Sequence, residues 1–316
     1  MKKFIAILSF LYLHSVDAQN TEIQEVEQLV KSYLSPLPNA LGAGLNNGWW
    51  TTAKPHKKLG FDITLSITPI FIPDTDKSFN IGNEGNFTGE KTATIFGGLN
   101  EGGTVNYNNG EGNYYSTNLP NGLGIGFVAT PMLQAGIGLP LKTEVDFRYS
   151  PEIKLKSFHL GIMGVGLKHD LLQWIPVLNK APIDLSVMAG HTRLVTGFDI
   201  ESQGVDLNVQ ATTINLLLSK KVALLTAYAG IGYNYTSSNA AVTLDEQNTS
   251  FLQIITTNVG INDLSELTTI EFENHSDLKA NIGARLQLTL LTINASYTIT
   301  QSGYKLYTAG VGVSLR

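Results

Sequence analysis

Residues 278–301 read LKANIGARLQLTLLTINASYTITQ, and two phases of alternation meet inside them. Ile282, Ala284, Leu286, Leu288 and Leu290 point one way, and Asn281, Gly283, Arg285, Gln287 and Thr289 point the other. A period of two marks a strand with one apolar and one wet face. At Leu290-Leu291 the phase flips. Leu291, Ile293, Ala295, Tyr297 and Ile299 then alternate with Thr292, Asn294, Ser296, Thr298 and Thr300. A tight turn there lets two adjacent strands share the same apolar face. Tyr307, Ala309, Val311, Val313 and Leu315 repeat the pattern.

Working outward, the same alternation covers most of the chain from Gly60 onward. Phe61, Ile63, Leu65 and Ile67 stand against Asp62, Thr64, Ser66 and Thr68; Val205, Leu207, Val209 and Ala211 stand against Asp206, Asn208, Gln210 and Thr212. Ten runs can be assigned: 60–72, 122–139, 141–150, 157–168, 182–198, 204–218, 221–236, 278–289, 290–301 and 303–316. Segments 91–98 and 250–275 have the composition to add strands, so the expected number is about 10 to 14. Pro131 falls inside the second run while its neighbours keep phase, which reads as one kinked strand, with a hairpin as the alternative. A soluble sandwich has strands of about five or six residues. Several runs here reach the length that crosses a bilayer at a tilt. Tyr149, Tyr233, Tyr235, Tyr297 and Tyr307 sit near run ends on the apolar face, where an aromatic girdle belongs. Backbone groups in lipid must be paired, so such a sheet must close. The sequence therefore predicts an all-β, transmembrane antiparallel β-barrel over residues 59–316.

Composition agrees. Among 316 residues, 15% are charged, 31 are Gly and none is Cys. The charged fraction lies well below the roughly 25% of a soluble domain. Mean hydropathy is only +0.04, too low for a bundle of membrane helices. Without Cys, disulfide scaffolds and thiol chemistry are excluded. A net charge of -5 offers no footprint for nucleic acid.

The N-terminal part differs. Met1-Lys2-Lys3, an apolar run from Phe4 to Leu13 and small residues up to Ala18 form the pattern of a secretory signal peptide over 1–18, with cleavage expected near Ala18. Residues 22–35 carry Ile23, Val26, Leu29, Val30, Tyr33 and Leu34 at helical spacing. Thr21 is the expected N-cap, and Pro36 and Pro38 are expected to stop the helix. No period fits residues 39–58. They read either as a linker or as a plug packed inside the barrel, with Leu45, Trp49, Trp50 and His56 as the plug candidates, because the apolar members need cover. Residues 19–58 are thus expected to form an amphipathic helix and a plug-like connector.

The mature chain resembles an uncharacterised family of Bacteroidota outer-membrane β-barrel proteins. The residues that carry the likeness are NALGAGLNNGW over 39–49, AKPH over 53–56, GVGLKHDLLQWIP over 164–176 and GVGVSL over 310–315. Its layout of helix, Asn/Gly-rich connector and barrel is also similar, more loosely, to the long-chain fatty-acid transporter family. These resemblances imply residence in the outer membrane, contact with its lipid, delivery by the barrel-assembly machinery and a possible small hydrophobic ligand.

Candidate site residues follow from the wet face. Lys142, Glu144, Asp146 and Arg148 alternate with apolar residues on one run, and Asp184 and Arg285 share that side. In a barrel they would project into the lumen, either as a salt-bridged interior that stiffens the wall or as a constriction that selects solutes. His169, Asp170 and Trp174 fall in a short helical connection after a strand end, with Asp170 as a possible cap and Trp174 at the periplasmic interface. Gly122, Gly124 and Gly126 resemble a nucleotide fingerprint, but no strand-turn-helix context surrounds them, so no cofactor is expected. His159, His169 and His191 lack a nucleophile elbow, and no enzyme activity is expected. Asp74, Asp76, Glu84, Glu90, Glu101 and Glu111 lie in the segment 73–121 without the spacing of a calcium loop, and no metal is expected. Segments 73–121 and 237–277 read as long polar loops. Two functions remain open: a passive channel or carrier with a partly plugged lumen, or a structural barrel that presents those two loops to a partner.

Overall fold

The computed structural model describes residues 16–82, 86–108, 114–155, 158–175, 181–200, 203–243 and 269–315. Helices α1 (Val16–Leu34) and α2 (Pro36–Leu45) precede β1 (Phe61–Phe71). Four short strands follow: β2 (Ser78–Gly82), β3 (Phe87–Ala93), β4 (Thr104–Asn108) and β5 (Tyr114–Asn118). Then come β6 (Phe127–Leu139), β7 (Thr143–Leu155), β8 (Phe158–Asp170), β9 (Asp184–Ile200), β10 (Gln203–Val222) and β11 (Leu225–Thr243). A short β12 (Thr269–Glu271), β13 (His275–Leu288), β14 (Leu291–Thr300) and β15 (Lys305–Leu315) complete the order.

Neighbouring strands run β10-β9-β8-β7-β6-β1-β15-β14-β13-β11, and β10 pairs with β11 to close the ring. The ten strands of this closed antiparallel barrel correspond one to one with the ten runs read from the sequence; β12 merely adds to β11. First and last strands meet, Phe61 opposite Leu315. Pro131 lies within a single strand. It pairs with Ile67 of β1, whereas β6 meets β7 only from Gln134 onward, so the missing N–H falls where no ladder partner is required.

The outer wall is apolar. Ile63, Leu65 and Ile67 of β1, Phe147 of β7, Val165 and Leu167 of β8, and Val311 and Val313 of β15 are all exposed. The apolar row of β1 spans 11 residues. At about 3.3 Å per residue and a tilt of about 40°, it rises roughly 26 Å, the height of a lipid-facing band. Phe71, Phe127, Tyr297 and Tyr307 form an aromatic cluster at one margin, with ring centroids 5.0–5.7 Å apart.

The two ends differ. The connections 140–142, 171–183, 223–224 and 289–290 join strands at one end; the long segment 72–126 lies at the other, beside the short connection 301–304. The long segments are more ordered than the sequence suggested. Residues 73–121 contain a second, four-stranded sheet, β2-β3-β4-β5, and β3 belongs to it rather than to the barrel. Its strands are short and rich in Asn, Gly and Thr, which hides the alternation. Of the suspected extra strand at 250–275, residues 250–268 lie outside the described set, as do Glu84 and Glu111.

Three other expectations need correction. α1 begins at Val16, ahead of the expected cap Thr21, since nothing between Val16 and Thr21 breaks a helix. Pro36 ends α1 but opens α2, because proline suits the first helical turn, whose N–H groups have no intrahelical partner anyway. The stretch 39–45, assigned no period, is therefore helical. On β10, Leu207, Val209 and Ala211 point inward and are buried, while Asp206 and Gln210 are exposed. The sequence assigned these apolar residues to the lipid face. The true lipid row is Ile214, Leu216 and Leu218. Strand parity is unchanged; the polarity of the two faces inverts where β9, β10 and β11 rise beyond the aromatic margin and their outer face meets water.

Candidate functional site in the barrel lumen

The inward-facing chamber has an apolar upper half and a charged lower half. At the long-segment end, Met132, Ile162, Leu194, Leu207, Val209 and Ala211 enclose Leu45, with Leu34, Leu37 and Leu41 packed against them. α2 fills this half. Below it, residues 46–58 descend in irregular conformation to the other end, where the Leu59 amide donates to the Gly138 carbonyl (2.9 Å) and β1 begins.

The wall holds this segment by both backbone and side chains. The Arg148 guanidinium donates to the Leu45 carbonyl (2.6 Å), the Asn47 carbonyl (2.7 Å) and Gln134 Oε1 (2.9 Å), and it stacks 3.7 Å from the Trp49 ring centroid. Gln134 Nε2 donates to the Trp49 carbonyl (2.9 Å) and to Asp146 Oδ1 (3.1 Å). Lys279 Nζ donates to the Asn46 carbonyl (2.6 Å). On the other side the Ala53 amide donates to Ser219 Oγ (3.0 Å), and Ser186 Oγ donates to the Ala53 carbonyl. Lower still, the His56 amide donates to Glu144 Oε2 (2.6 Å), and Lys168 Nζ donates to Glu144 Oε1 (2.5 Å). His56 Nε2 meets Asp62 Oδ1 at 3.0 Å. Buried charges persist only when paired. Here three carboxylates (Asp62, Glu144, Asp146) share the lumen with four cations (Arg148, Lys168, Lys279, Arg285).

Trp49 needs room that only small wall residues leave. A Cβ on Gly190 would stand 2.6 Å from Trp49 Cε2, and one on Gly166 would stand 2.8 Å from Trp49 Cζ3. Trp50 packs edge-on against Tyr228, centroids 5.3 Å apart. The remaining space beside residues 48–52 is a cavity of about 20 Å³, lined by His56, Asp62, Asp146 and Arg285 among others. That volume holds about one water.

Among the predicted site residues, Glu144, Asp146, Arg148 and Arg285 lie in the lumen and are buried. So do Leu45, Trp49, Trp50 and His56. Lys142 does not. It occupies the turn after β6 with φ +50°, and its ammonium reaches Asp170 at 3.7 Å on the rim. A turn residue has left the alternation, so parity no longer fixes its side. Asp184 also sits at the rim, 4.0 Å from Lys54. His169, Asp170 and Trp174 form one hydrogen-bonded group there. Trp174 Nε1 donates to His169 Nε2 (2.9 Å), and the Gln173 amide donates to Asp170 Oδ1 (2.9 Å). The expected short helix is a 3-10 turn, Leu172–Trp174. His159 pairs with Asp206 at 3.2 Å on the outer face. Four charged or amide lumen residues escaped the candidate set: Asp62, Gln134, Lys168 and Lys279. All four lie in phase with residues already placed inward, so extending the parity of their strands would have found them.

His56, Asp62 and Glu144 offer ligand atoms within 4.8 Å of one another, a spacing that suits a metal ion. Lys168 already supplies the positive charge there, at 2.5 Å from Glu144.

A closed antiparallel barrel with an apolar outer wall and a segment of its own chain through its lumen defines the class: a plugged transmembrane β-barrel. The chain belongs to the family of unknown function DUF6588, which matches residues 1–315. No curated protein matches the chain. Among solved structures it is similar to the attachment invasion locus protein Ail of Yersinia pestis at 7% identity and TM-score 0.29, covering 82% of this chain and 98% of that one. It is also similar to the transport unit of the autotransporter AIDA-I from Escherichia coli (10% identity, 89% and 99% covered, TM-score 0.36). A further similar structure is the outer membrane protease OmpT from Escherichia coli (10% identity, 85% and 100% covered, TM-score 0.31). At these values none of them informs the activity of this chain.

Proposed function

We propose that the protein is an outer-membrane barrel that conducts or carries solutes when residues 46–58 leave its lumen, and that it reaches that membrane after loss of a signal peptide near Ala18. The observation that carries the reading is how the plug is held. Arg148, Lys279 and Gln134 grip the carbonyls of Leu45, Asn46, Asn47 and Trp49. Such contacts can be exchanged one by one for water, and the apolar surface that release must give up is confined to Trp49, Trp50 and Ala53, packed against Met188, Leu217 and Tyr228. The halves of the lumen suggest the solute. Withdrawal of α2 would uncover the apolar chamber of Leu194, Leu207 and Val209, which suits a small hydrophobic compound, and the charged ring below would select against simple leakage. No catalytic step is part of this reading.

A second reading has its own support. The sheet of β2 to β5 forms a folded unit beyond the wall, as a partner-binding surface would require. Deletion of residues 21–56 separates the two. A gated conduit becomes leaky in planar bilayers and in liposome-swelling assays. If the deleted barrel folds and stays as silent as the intact one, conduction fails and the scaffold reading stands.

A further inference from the structure

The path of the chain through the barrel carries a consequence for where its N-terminus lies. α1 is attached to the long-segment end. The Ile95 amide donates to the Tyr33 carbonyl (2.9 Å), Tyr33 Oη donates to the Asn121 carbonyl (2.9 Å), and the Asn86 amide donates to the Glu25 carboxylate (3.0 Å). α2 then lies in the upper lumen, with Gly42 against Thr236 of β11 and Gly44 against Ile70 of β1. Residues 46–58 pass the charged ring, and β1 starts at the short-turn end. The polypeptide therefore runs the full length of the lumen, from one end of the barrel to the other, before its first strand. Barrels of this kind turn their short connections to the periplasm and their long ones to the exterior.

We infer that the protein exports its own N-terminal region through its barrel, so that α1 is displayed on the cell surface together with the β2 to β5 sheet. This rests on the outer-membrane placement proposed above, but not on gating. The segment must be captured before the ring shuts, because β1 and β15 are the terminal strands of the barrel and their pairing completes it. The inward cations give the means: Arg148 and Lys279 stand on β7 and β13, and each grips a carbonyl of the descending segment. The wall can then close around a chain already lying along its inner face, with no need to thread it through a finished pore.

The absence of Cys makes the test clean. Single variants Gln24→Cys on α1, Leu99→Cys beyond the wall and Lys58→Cys at the exit of the segment all place a thiol at an exposed position. Intact cells expressing each variant are treated with a membrane-impermeant maleimide, then compared with permeabilised cells. Gln24→Cys and Leu99→Cys are expected to label equally before and after permeabilisation, and Lys58→Cys only after it. Labelling of Leu99→Cys but not Gln24→Cys in intact cells would show that the N-terminal region stays inside and would overturn the inference. Labelling of Lys58→Cys alone would invert the barrel and overturn it too. If Gln24→Cys labels while deletion of 21–56 leaves conductance unchanged, export holds and only gating falls.

Discussion

Arg148 is the most connected link between plug and wall, and its removal has a calculable effect. Arg148→Ala leaves the buried carbonyls of Leu45 and Asn47 without their donor and frees the Trp49 ring of its cation. An unsatisfied buried acceptor costs about 1–3 kcal/mol, and the cation–π contact adds about 0.5–2 kcal/mol. Water entering the vacated space recovers part of this, so the lower end, about 3 kcal/mol, is the reasonable expectation. At about 1.4 kcal/mol per tenfold, the population with residues 46–58 released should rise about 100-fold. Hydrogen exchange reads this directly, since local opening limits amide exchange in a folded protein. In detergent-solubilised protein, the amides of Ala53 and His56 should exchange about 100-fold faster in Arg148→Ala, while those in the middle of β7 and β8 keep their protection. Arg148→Lys, which keeps the charge but loses the fork, should fall between. If the plug amides exchange at the wild-type rate while the strands also remain unchanged, the guanidinium does not hold the segment and the reasoning fails.

Lys279→Met loses a single carbonyl contact, so its effect on plug exchange should be about tenfold, distinctly below that of Arg148→Ala. Gly190→Ala drives a methyl into the Trp49 ring at 2.6 Å; it should lower thermal stability by about 1–3 kcal/mol, and Trp49→Ala in the same chain should remove much of that penalty, an interaction measurable as a double-mutant cycle. Lys168→Met alone strands the Glu144 carboxylate and should cost about 3–5 kcal/mol, whereas Lys168→Met with Glu144→Gln should cost much less, both read by heat-modifiable migration. Tyr304 is buried in the turn before β15 and bonded to Asp76, and its phenol is pushed up by that burial and then by the carboxylate. Because the raised value belongs to the folded state, its stabilising contribution is complete below the ordinary phenol value of about 10 and is lost as pH rises beyond it. Tyr304→Phe should flatten that alkaline loss in unfolding measured across the same range.

The barrel was legible because the strands keep a period of two and lipid demands an apolar outer row. The Leu290-Leu291 phase flip even located a hairpin. What the pattern could not give is which face meets which medium. Leu207, Val209 and Ala211 read as lipid-facing because alternation reports two faces without naming them, and above the membrane margin their partners are α2 residues, not lipid. Lys142 was misplaced for a related reason: parity assumes extended backbone, and the positive φ at that turn ends it. The charged row of Glu144, Asp146 and Arg148 was visible in the strand. The partners of Arg148 were not, because they are the carbonyls of Leu45 and Asn47, and any sequence supplies carbonyls. Gly166 and Gly190 show the same limit: each is small because a distant Trp49 occupies the space its side chain would fill, a contact with no local signature.

The central claim, that movement of residues 46–58 opens the lumen, is tested most directly by tying them down. Thr52 Oγ1 and Ser219 Oγ lie 3.3 Å apart, so Thr52→Cys with Ser219→Cys places two thiols in reach of a disulfide in a chain that otherwise has no Cys. In an Arg148→Ala background, single-channel recording should show current with the pair reduced, silence once it is oxidised, and current again after reductant. Current that persists unchanged through oxidation, with the bridge verified by mass, would contradict the account.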